Sequence, residues 1–296
     1  MRFHQAVSFL DFDQIVPLGA ACDGFGYAGV YLSDHLFNPA ELESRYTYSV
    51  REDGAPAWAK ETAWPDPMCV VSGLATVTTN LTFTTGVYVA PVRDLITVAK
   101  TVGTAAALSG DRVRLGVGVG WCREEFELTG QEFTNRGRRL DEMIPALRAL
   151  WGGGWVEFHG DYYDVPLCQM NPAPGQPVPI LGGGHSEPAL RRAATLCDGW
   201  IAAGAYSADE AWGHLGALET ELARVDRAGE PYDVYLSLAE RPDPDLYRRF
   251  EEAGVTDMIC APWMGVRPDG LDPAALLAAR IAACERFAEQ IVVKLA

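Results

Sequence analysis

The sequence predicts a single (β/α)₈ barrel over residues 1–296, and three observations support this fold class. Eight short runs rich in β-branched and aromatic residues alternate with amphipathic helical patterns. Eight strand–helix units in roughly 250 to 300 residues are the usual extent of such a barrel. Two segments, 36–67 and 154–177, are longer than simple connections, as is typical of loops beside an active site. Strand counting alone leaves a doubly wound open sheet as the alternative.

The elements follow from hydrophobic periodicity and from helix stop signals such as Gly110 and Gly229. The predicted strands are 2–8, 27–33, 81–89, 113–119, 178–181, 199–202, 232–238 and 256–261. The predicted helices are 94–110, 135–153, 186–199, 208–229 and 272–295. The first long loop follows strand two. The second follows the helix after strand four and contains a predicted hairpin, WVEFHGDYYDVP.

Composition narrows the classes of partner. The formal net charge of −16 argues against nucleic acid and anionic membranes. No apolar run approaches the roughly 20 residues of a membrane span, and the first residues do not form a signal peptide. Seven cysteines without a CxxC pair suit a reducing compartment, so a cytoplasmic protein is expected.

The segment RLGVGVGW alternates glycine with apolar residues, and on a strand these would face opposite sides. We expect the apolar residues to face the helices and the glycines to line the barrel interior, leaving a slot for a flat ring. Crowding by a neighbouring strand is the alternative reason for the glycines. The glycines are Gly116, Gly118 and Gly120, and the apolar residues are Leu115, Val117 and Val119.

The segment LGGGHSEPALRR joins predicted strand five to a helix and is a candidate phosphate site. Gly183, Gly184 and His185 precede Ser186, the expected N-cap, so free N–H groups and the positive helix end would meet there. His185 or Arg191 could assist. A plain capped turn is the alternative, and Glu187 would compete for the same donors.

Two further segments end strands at the expected catalytic rim. In FTTGVYVAP, Gly86 interrupts a run of β-formers between Thr85 and Val87, which indicates a bulge or a close approach to a ligand. In YLSDHLFNP, Asp34 and His35 follow strand two directly, where His35 could donate, accept or relay a proton. A structural role for this histidine is the alternative.

Other catalytic signatures are not found in the sequence. The five histidines form neither an HExxH motif nor a facial triad, so no metal site is predicted. There is no GxSxG elbow and no P-loop. Glu124 and Glu125 are explained as the acidic first turn of a helix.

Taken together, these segments resemble the bacterial luciferase-like monooxygenase superfamily over nearly the whole chain. The resemblance is carried by LSDHL, TTGVYVAPVRD, GDYYDVP, PILGGGHSEPALRRAATLCDGW and, most specifically, RLGVGVGWCREEFELTGQEFTNRGRRLDEMIPALRALW. Members of that superfamily are TIM barrels that bind FMN or the deazaflavin coenzyme F-420 at the C-terminal mouth, and they commonly form dimers. The resemblance therefore implies a homodimer with a flavin-type cofactor.

The resemblance also implies roles for particular residues. The cofactor would lie against Gly118 and Gly120 beside Trp121, supported from behind by a bulge at Gly86–Val87 that carries a cis peptide in the F-420 branch. The Ser-Asp-His ending of strand two is similar to that branch, where such an Asp and His face the deazaflavin. Some F-420 enzymes carry a glutamate where this chain has Trp121. The expected cofactor contacts are Thr85, Gly86, Val87, Gly118, Gly120, Trp121, Gly183, Gly184, His185 and Ser186, with Arg45, Arg51 and Arg93 as possible sources of positive charge for the polyanionic tail.

The function expected from the resemblance is hydride transfer between F-420 and a small, partly apolar organic substrate. His35 would protonate or stabilise the substrate, and Asp34 would orient the imidazole or contact the ring. An FMN-dependent monooxygenase using O₂ is the first alternative. A flavin-binding protein without turnover is the second.

Overall fold

Eight parallel strands close into one barrel in the computed structural model, which describes residues 1–49 and 51–295. Around the barrel the order is β1, β2, β3, β4, β7, β8, β9 and β10, and β1 pairs with β10 to close it. The predicted (β/α)₈ fold is therefore confirmed and the open sheet is excluded. Residue 50, in the first long loop, and residue 296, the end of the predicted domain, lie outside the described residues.

The barrel strands are β1 (Arg2–Ala6), β2 (Gly29–Leu32), β3 (Thr82–Thr85), β4 (Val113–Val117), β7 (Ile180–Gly183), β8 (Gly199–Tyr206), β9 (Asp233–Leu238) and β10 (Asp257–Cys260). The predicted hairpin is formed by β5 (Trp155–His159) and β6 (Asp164–Gln169). The helices are α1 (Ile15–Gly24), α2 (Pro67–Ala75), α3 (Leu95–Ser109), α4 (Arg123–Leu128), α5 (Arg136–Trp151), α6 (Glu187–Leu196), α7 (Ala208–Arg224), α8 (Pro244–Glu252) and α9 (Pro273–Phe287). A π-helical turn (Ala288–Val292) and α10 (Val293–Leu295) follow.

The structure differs from the prediction mainly at strand ends. Predicted strand 81–89 ends at Thr85, because the chain bulges at Gly86–Val87 and rejoins the sheet only through a bridge from Tyr88 to Val117. Predicted strand 113–119 ends at Val117, because the same bulge leaves only this single bridge for pairing beyond the end of β3. Helices α1, α2, α4 and α8 have no counterpart among the predicted helices. In the described part of the chain, none of the helices is both long and apolar enough to span a membrane.

The core has two layers, and the glycine strand lies between them. Leu115 and Val117 pack among the helices, as predicted, whereas Val119 is only partly buried. Ile201 and Tyr235 belong to a smaller cluster inside the barrel. Alternate residues of each strand thus serve the two layers, which is the arrangement that a filled barrel requires.

Gly116 is required by its neighbour in the sheet. A Cβ at this position would lie 1.9 Å from the carbonyl oxygen of Thr85 and 3.5 Å from Cγ2 of Ile201. The Thr85 hydroxyl donates a hydrogen bond to the Gly116 carbonyl at 2.8 Å, so the two segments are held in close approach. At Gly116, crowding by the neighbouring strand is therefore the correct explanation.

Replacing Gly116 with alanine is expected to destabilise the protein by about 3 kcal/mol or more, because the clash is with backbone and can be relieved only by moving a strand. Chemical denaturation monitored by circular dichroism measures the loss. Gly213→Ala is the matched control, since its Cβ would meet nothing within 4 Å on helix α7. That variant should gain roughly 0.5–1 kcal/mol from helix propensity. Equal stabilities for the two variants would contradict the steric explanation.

Candidate functional site

A cleft of about 270 Å³ opens at the C-terminal mouth of the barrel, where active sites of this fold lie. The segments that follow β2, β3, β4 and β7 line it, together with part of the first long loop. All but one of the predicted site residues lie here. The lining residues are Asp34, His35, Tyr46, Thr47, Tyr48, Gly86, Val87, Val89, Gly118, Val119, Gly120, Trp121, Arg136, Gly183, Gly184, His185, Ser186, Ala189 and Ala203.

The expected open slot beside the glycines is filled by Val87. A Cβ on Gly118 would lie 2.3 Å from one methyl of Val87, and a Cβ on Gly183 would lie 2.3 Å from the other. The peptide bond between Gly86 and Val87 is cis, as the resemblance implies. The missing side chains therefore make room for Val87 in the cleft wall, which corrects the expectation of an empty slot for a ring.

One predicted contact, Thr85, lies outside the cleft lining, and a second, Gly120, lines the cleft in a backbone conformation that differs from the predicted strand. Thr85 is fully buried and is not part of the lining, because its hydroxyl is bonded to the Gly116 carbonyl. Gly120 lines the cleft, but its φ of +78° turns its α-carbon away from the strand pattern, and a Cβ there would meet Val89 and Phe126. The predicted face of three glycines thus ends at Gly118.

His35 is oriented by a buried carboxylate that the sequence does not reveal. Its Nδ1 lies 3.2 Å from Oε1 of Glu125, and the same oxygen accepts the Leu36 N–H at 2.6 Å. The side chain of Glu125 is only 2% exposed. An ionised carboxylate can only accept hydrogen bonds, so Nδ1 carries the proton and Nε2 is the nitrogen left for chemistry. Glu125 does lie in the acidic first turn of α4, but its role is at the site.

Aromatic rings surround the imidazole of His35. The centroids of Trp64, Trp58 and Trp121 lie 4.9, 5.6 and 5.6 Å from it, the first and last in edge contact. Tyr46 packs against both Trp58 and Trp121. This apolar surrounding limits water near His35 and leaves its side chain 12% exposed. The arrangement suits a group that exchanges protons with a bound molecule rather than with bulk solvent.

Asp34 does not orient His35, so the first of its two predicted roles is wrong, while contact with the cofactor ring stays a prediction. Its carboxylate pairs with the Arg93 guanidinium through contacts of 2.7 and 2.8 Å and also accepts the Val89 N–H at 2.9 Å. The side chain of Asp34 is 1% exposed. Asp34 therefore fastens the end of β2 to the segment after β3.

Replacing Asp34 with asparagine is expected to destabilise the protein by about 3 kcal/mol, because the buried charge of Arg93 would keep only Asp66, which is partly exposed and 3.8 Å away. Equilibrium unfolding in urea gives this value. Asp53→Asn, which removes one partner of the exposed Arg51–Asp53 pair, should leave the unfolding midpoint almost unchanged. A stable Asp34→Asn protein with lost activity would instead restore the predicted catalytic role.

The turn 183–186 leads into helix α6 at the cleft, and its role as an anion site stays a prediction. Gly184 has a φ of +105°, and its carbonyl accepts the indole N–H of Trp200 at 2.7 Å, which anchors the turn from below. Ser186 is the N-cap of α6, and its hydroxyl makes no capping hydrogen bond. Glu187 is exposed, pairs with Arg191 and does not line the cleft, so it does not occupy these donors.

Arg136 is a cleft residue that the prediction missed. Its guanidinium donates to the carbonyls of Gly120 at 3.0 Å and Phe133 at 2.9 Å and lies 3.7 Å from the centre of the Phe133 ring. Among the described residues no carboxylate pairs with it, and burial together with nearby Arg123 lowers its pKa. A partly buried cation without a counter-charge, on the same cleft as a helix N-terminus, favours an anionic ligand. The Arg-Gly dipeptide at 136–137, in the segment that most specifically resembles the family, was the sequence signal that could have identified this residue.

The arginines proposed to supply charge have other partners. Arg93 is paired with Asp34, and Arg51 with Asp53. Arg45 donates to the Glu52 carbonyl at 3.0 Å. None of the three lines the cleft, nor does Arg191.

The first long loop, residues 36–66 and here called the rim loop, is tied to helix α4. Oε1 of Glu124 accepts the backbone N–H groups of Glu43 at 2.7 Å and Ser44 at 3.0 Å. The Ser44 hydroxyl in turn accepts the Arg123 N–H at 2.9 Å. Burial would raise the pKa of Glu124, but hydrogen bonds, foremost from Ser44, lower it to about 2. The carboxylate therefore holds the loop over the cleft at neutral pH.

Replacing Glu124 with alanine is expected to loosen the rim loop, because two charge-assisted hydrogen bonds are lost, at a cost of about 1–2 kcal/mol in loop stability. We expect KM to rise several-fold and kcat to change less. Limited trypsin digestion gives a direct readout, because Arg45, Arg51 and Lys60 lie in this loop. Glu127→Ala, an exposed change on the same helix, is the control. Unchanged cleavage after these three residues would contradict the anchoring role.

The described residues contain no cluster of three or more His, Cys, Asp or Glu side chains placed to hold a metal ion. The seven cysteines are all free thiols.

Known proteins have similar sequences over all or part of this chain. A protein of Mycobacterium tuberculosis (strain ATCC 25618 / H37Rv), described as uncharacterized, is 37% identical over 302 residues, which cover 99% of this chain and 100% of that protein. A pyrimidine monooxygenase from Klebsiella pneumoniae is 31% identical over 106 residues, or 34% of this chain and 29% of that protein.

Solved structures show the same fold at low sequence identity. An F-420-dependent tetrahydromethanopterin reductase from Methanopyrus kandleri superposes with a TM-score of 0.74 at 14% identity, covering 100% of this chain and 99% of that one. A monooxygenase from Streptomyces bottropensis superposes with a TM-score of 0.73 at 15% identity over 100% of both chains. The model of the luciferase-like monooxygenase family matches residues 3–240. This protein therefore belongs to the luciferase-like monooxygenase family.

Proposed function

We propose that this protein is an oxidoreductase that uses coenzyme F-420 to oxidise or reduce a small, partly apolar organic substrate. The observation that carries the proposal is His35, held by buried Glu125 at the end of β2, on the cleft whose far side is the turn 183–186. A non-catalytic binding protein has no need of a buried carboxylate–imidazole pair at this position. Two proteins of the same fold, the reductase above and a secondary alcohol dehydrogenase with a TM-score of 0.74, are F-420-dependent by name.

The residues present fit a flavin-type cofactor with a phosphate group. Arg136 and the free hydroxyl of Ser186 offer donors to the phosphate, next to the N-terminus of α6. Gly86 and Val87 line the cleft, with the methyl groups of Val87 against Gly118 and Gly183, and they would support the ring system. When bound, a deazaflavin supplies a carbon that exchanges a hydride with the substrate and reacts poorly with oxygen.

The chain's own contribution is proton transfer and exclusion of water. Nε2 of His35 accepts or returns the proton on the substrate heteroatom, and Glu125 stabilises the resulting imidazolium through Nδ1–H. The rim loop covers the cleft with Tyr46 and Tyr48. Since the cleft volume of about 270 Å³ is at the low end for ligand sites, we propose that the loop moves to admit cofactor and substrate together.

Titration of the purified protein with F-420 and with FMN, followed by absorbance and fluorescence, tests the choice of cofactor. We expect tight binding of F-420, and reduced F-420 on the protein should persist in air until an electron acceptor is added. Preferential binding of FMN, with label from ¹⁸O₂ entering the product, would establish the monooxygenase alternative. Binding of either cofactor with no turnover, unaffected by His35→Ala, would favour the binding protein.

We also propose that the protein is a homodimer, as the resemblance implies, and that it is cytoplasmic. Its free cysteines are typical of a reducing compartment. Light scattering coupled to size-exclusion chromatography gives the mass in solution, and a monomer at micromolar concentration would contradict the dimer.

A further inference from the structure

Two histidines from different elements stack at the anion end of the cleft. The ring of His185, in the turn 183–186, lies 4.6 Å from the ring of His214 on α7, with an angle of 6° between the planes. Tyr206 packs against both rings, with centroids 5.7 and 4.5 Å away. His185 lines the cleft, whereas half-buried His214 lies behind it.

Tyr206 determines which nitrogen of His185 carries the proton. The tyrosine oxygen lies 2.8 Å from Nδ1 of His185 and accepts the Ala203 N–H at 3.3 Å. Nδ1 is the only acceptor for the phenol proton among the described residues, and Tyr206 is only 7% exposed. If Nδ1–H were the donor instead, the buried hydroxyl would be left without an acceptor. In the neutral pair, Nε2 of His185 therefore carries its hydrogen and can donate to a ligand.

The surroundings of the pair allow one positive charge and resist a second. Burial lowers the pKa of His185, and Glu210 on α7 partly offsets this. Burial first, and the neighbouring His185 second, lower the pKa of His214, again against Glu210. From the described part of the rim loop, the ring of Tyr48 meets that of His185 at 90°, with 5.1 Å between centroids, and α5 contributes the Arg136 cation to the same cleft. Two stacked imidazolium rings with centroids 4.6 Å apart would repel each other strongly.

We propose that the His185–His214 pair takes up one proton, and only one, when an oxyanion binds at the turn 183–186. The proton comes from solvent and forms an N–H bond on the ring nitrogen of His214 that carries no hydrogen, while Nε2–H of His185 donates to the anion. The affinity for a phosphate-like dianion then rises as pH falls. This inference rests on the proposed position of the cofactor phosphate and makes His214 and Tyr206 positioning residues for His185.

NMR titration of labelled histidine rings from about pH 8 to pH 5 counts the protons that the pair takes up when no anion is bound. The wild-type pair should gain one proton in total, whereas independent histidines would gain two. His214→Phe, which keeps a flat ring for stacking, and His185→Phe should each still gain one proton at the histidine that is left. Two protons in the wild-type pair would overturn the inference.

Coupling to the ligand is measured by calorimetry with sulfate, in two buffers of different ionisation enthalpy. Sulfate stays a dianion over this range, so any proton taken up binds to the protein. We expect uptake approaching one proton near pH 7. The Kd for sulfate should decrease by up to about tenfold for each unit by which the pH is lowered. The double variant His185→Gln with His214→Phe should show neither effect, and His159→Gln on the exposed hairpin should match wild type. Sulfate binding without proton uptake, or no sulfate binding at all, would overturn the inference. The proposed function is tested separately, by the F-420 and FMN titrations.

Discussion

His35→Ala is expected to lower kcat by about 10²-fold or more, which is the usual contribution of a positioned general acid or base. Nε2 of His35 is the proton-carrying atom in the proposed reaction, and alanine removes it. Cofactor affinity should change by no more than a few-fold, because Arg136 and the turn 183–186 are untouched. Steady-state kinetics at saturating F-420, together with a separate binding titration, measure the two quantities.

Glu125→Gln is the companion variant, since it keeps the shape of the side chain but removes the charge that stabilises the imidazolium. We expect a smaller fall in kcat, about tenfold, equivalent to about 1.4 kcal/mol of transition-state stabilisation. His159→Ala on the exposed hairpin should leave kcat unchanged. Weak cofactor binding with normal turnover at saturation would make His35 a ligand contact and not a catalytic residue.

Ser186→Asp is expected to weaken binding of a phosphate-bearing cofactor by about 100-fold or more. A carboxylate at the N-cap would face the phosphate at close range, where like charges repel by several kcal/mol at the effective dielectric near a protein surface. Helix α6 should persist, because aspartate and serine cap helices about equally well. A fluorescence titration with F-420 and a parallel one with FMN give the two dissociation constants.

Ser186→Asn is the matched control, being neutral, nearly isosteric with aspartate and also a good cap. Its dissociation constant should stay within a few-fold of wild type. Gly184→Asp is less informative, because Gly184 has a φ of +105° and a Cβ there would lie 3.1 Å from that of Ala189. Equal affinities for the Ser186→Asp and Ser186→Asn proteins would place the phosphate elsewhere.

The barrel was predictable from local pattern, because each strand must bury one face against helices and the other inside the barrel. The alternation from Leu115 to Val117 therefore predicts correctly that these two apolar side chains face the helices. The ends of β3 and β4 were not predictable, since the bulge at Gly86–Val87 depends on neighbouring strands. The Leu32 carbonyl accepts the Gly86 N–H, and the Gly116 carbonyl accepts the N–H of Tyr88, directly after the bulge.

At the site, the sequence by itself determined the segments that meet, because strand ends of a parallel barrel share one rim. Asp34, His35 and the turn 183–186 were placed on the cleft for that reason. Only the tertiary structure decided which side chains pair. Glu125 reaches His35 across 90 positions of the chain, and Arg93 neutralises Asp34 across 59. Such pairings depend on distances of a few ångströms between elements far apart in sequence, and no local periodicity encodes them.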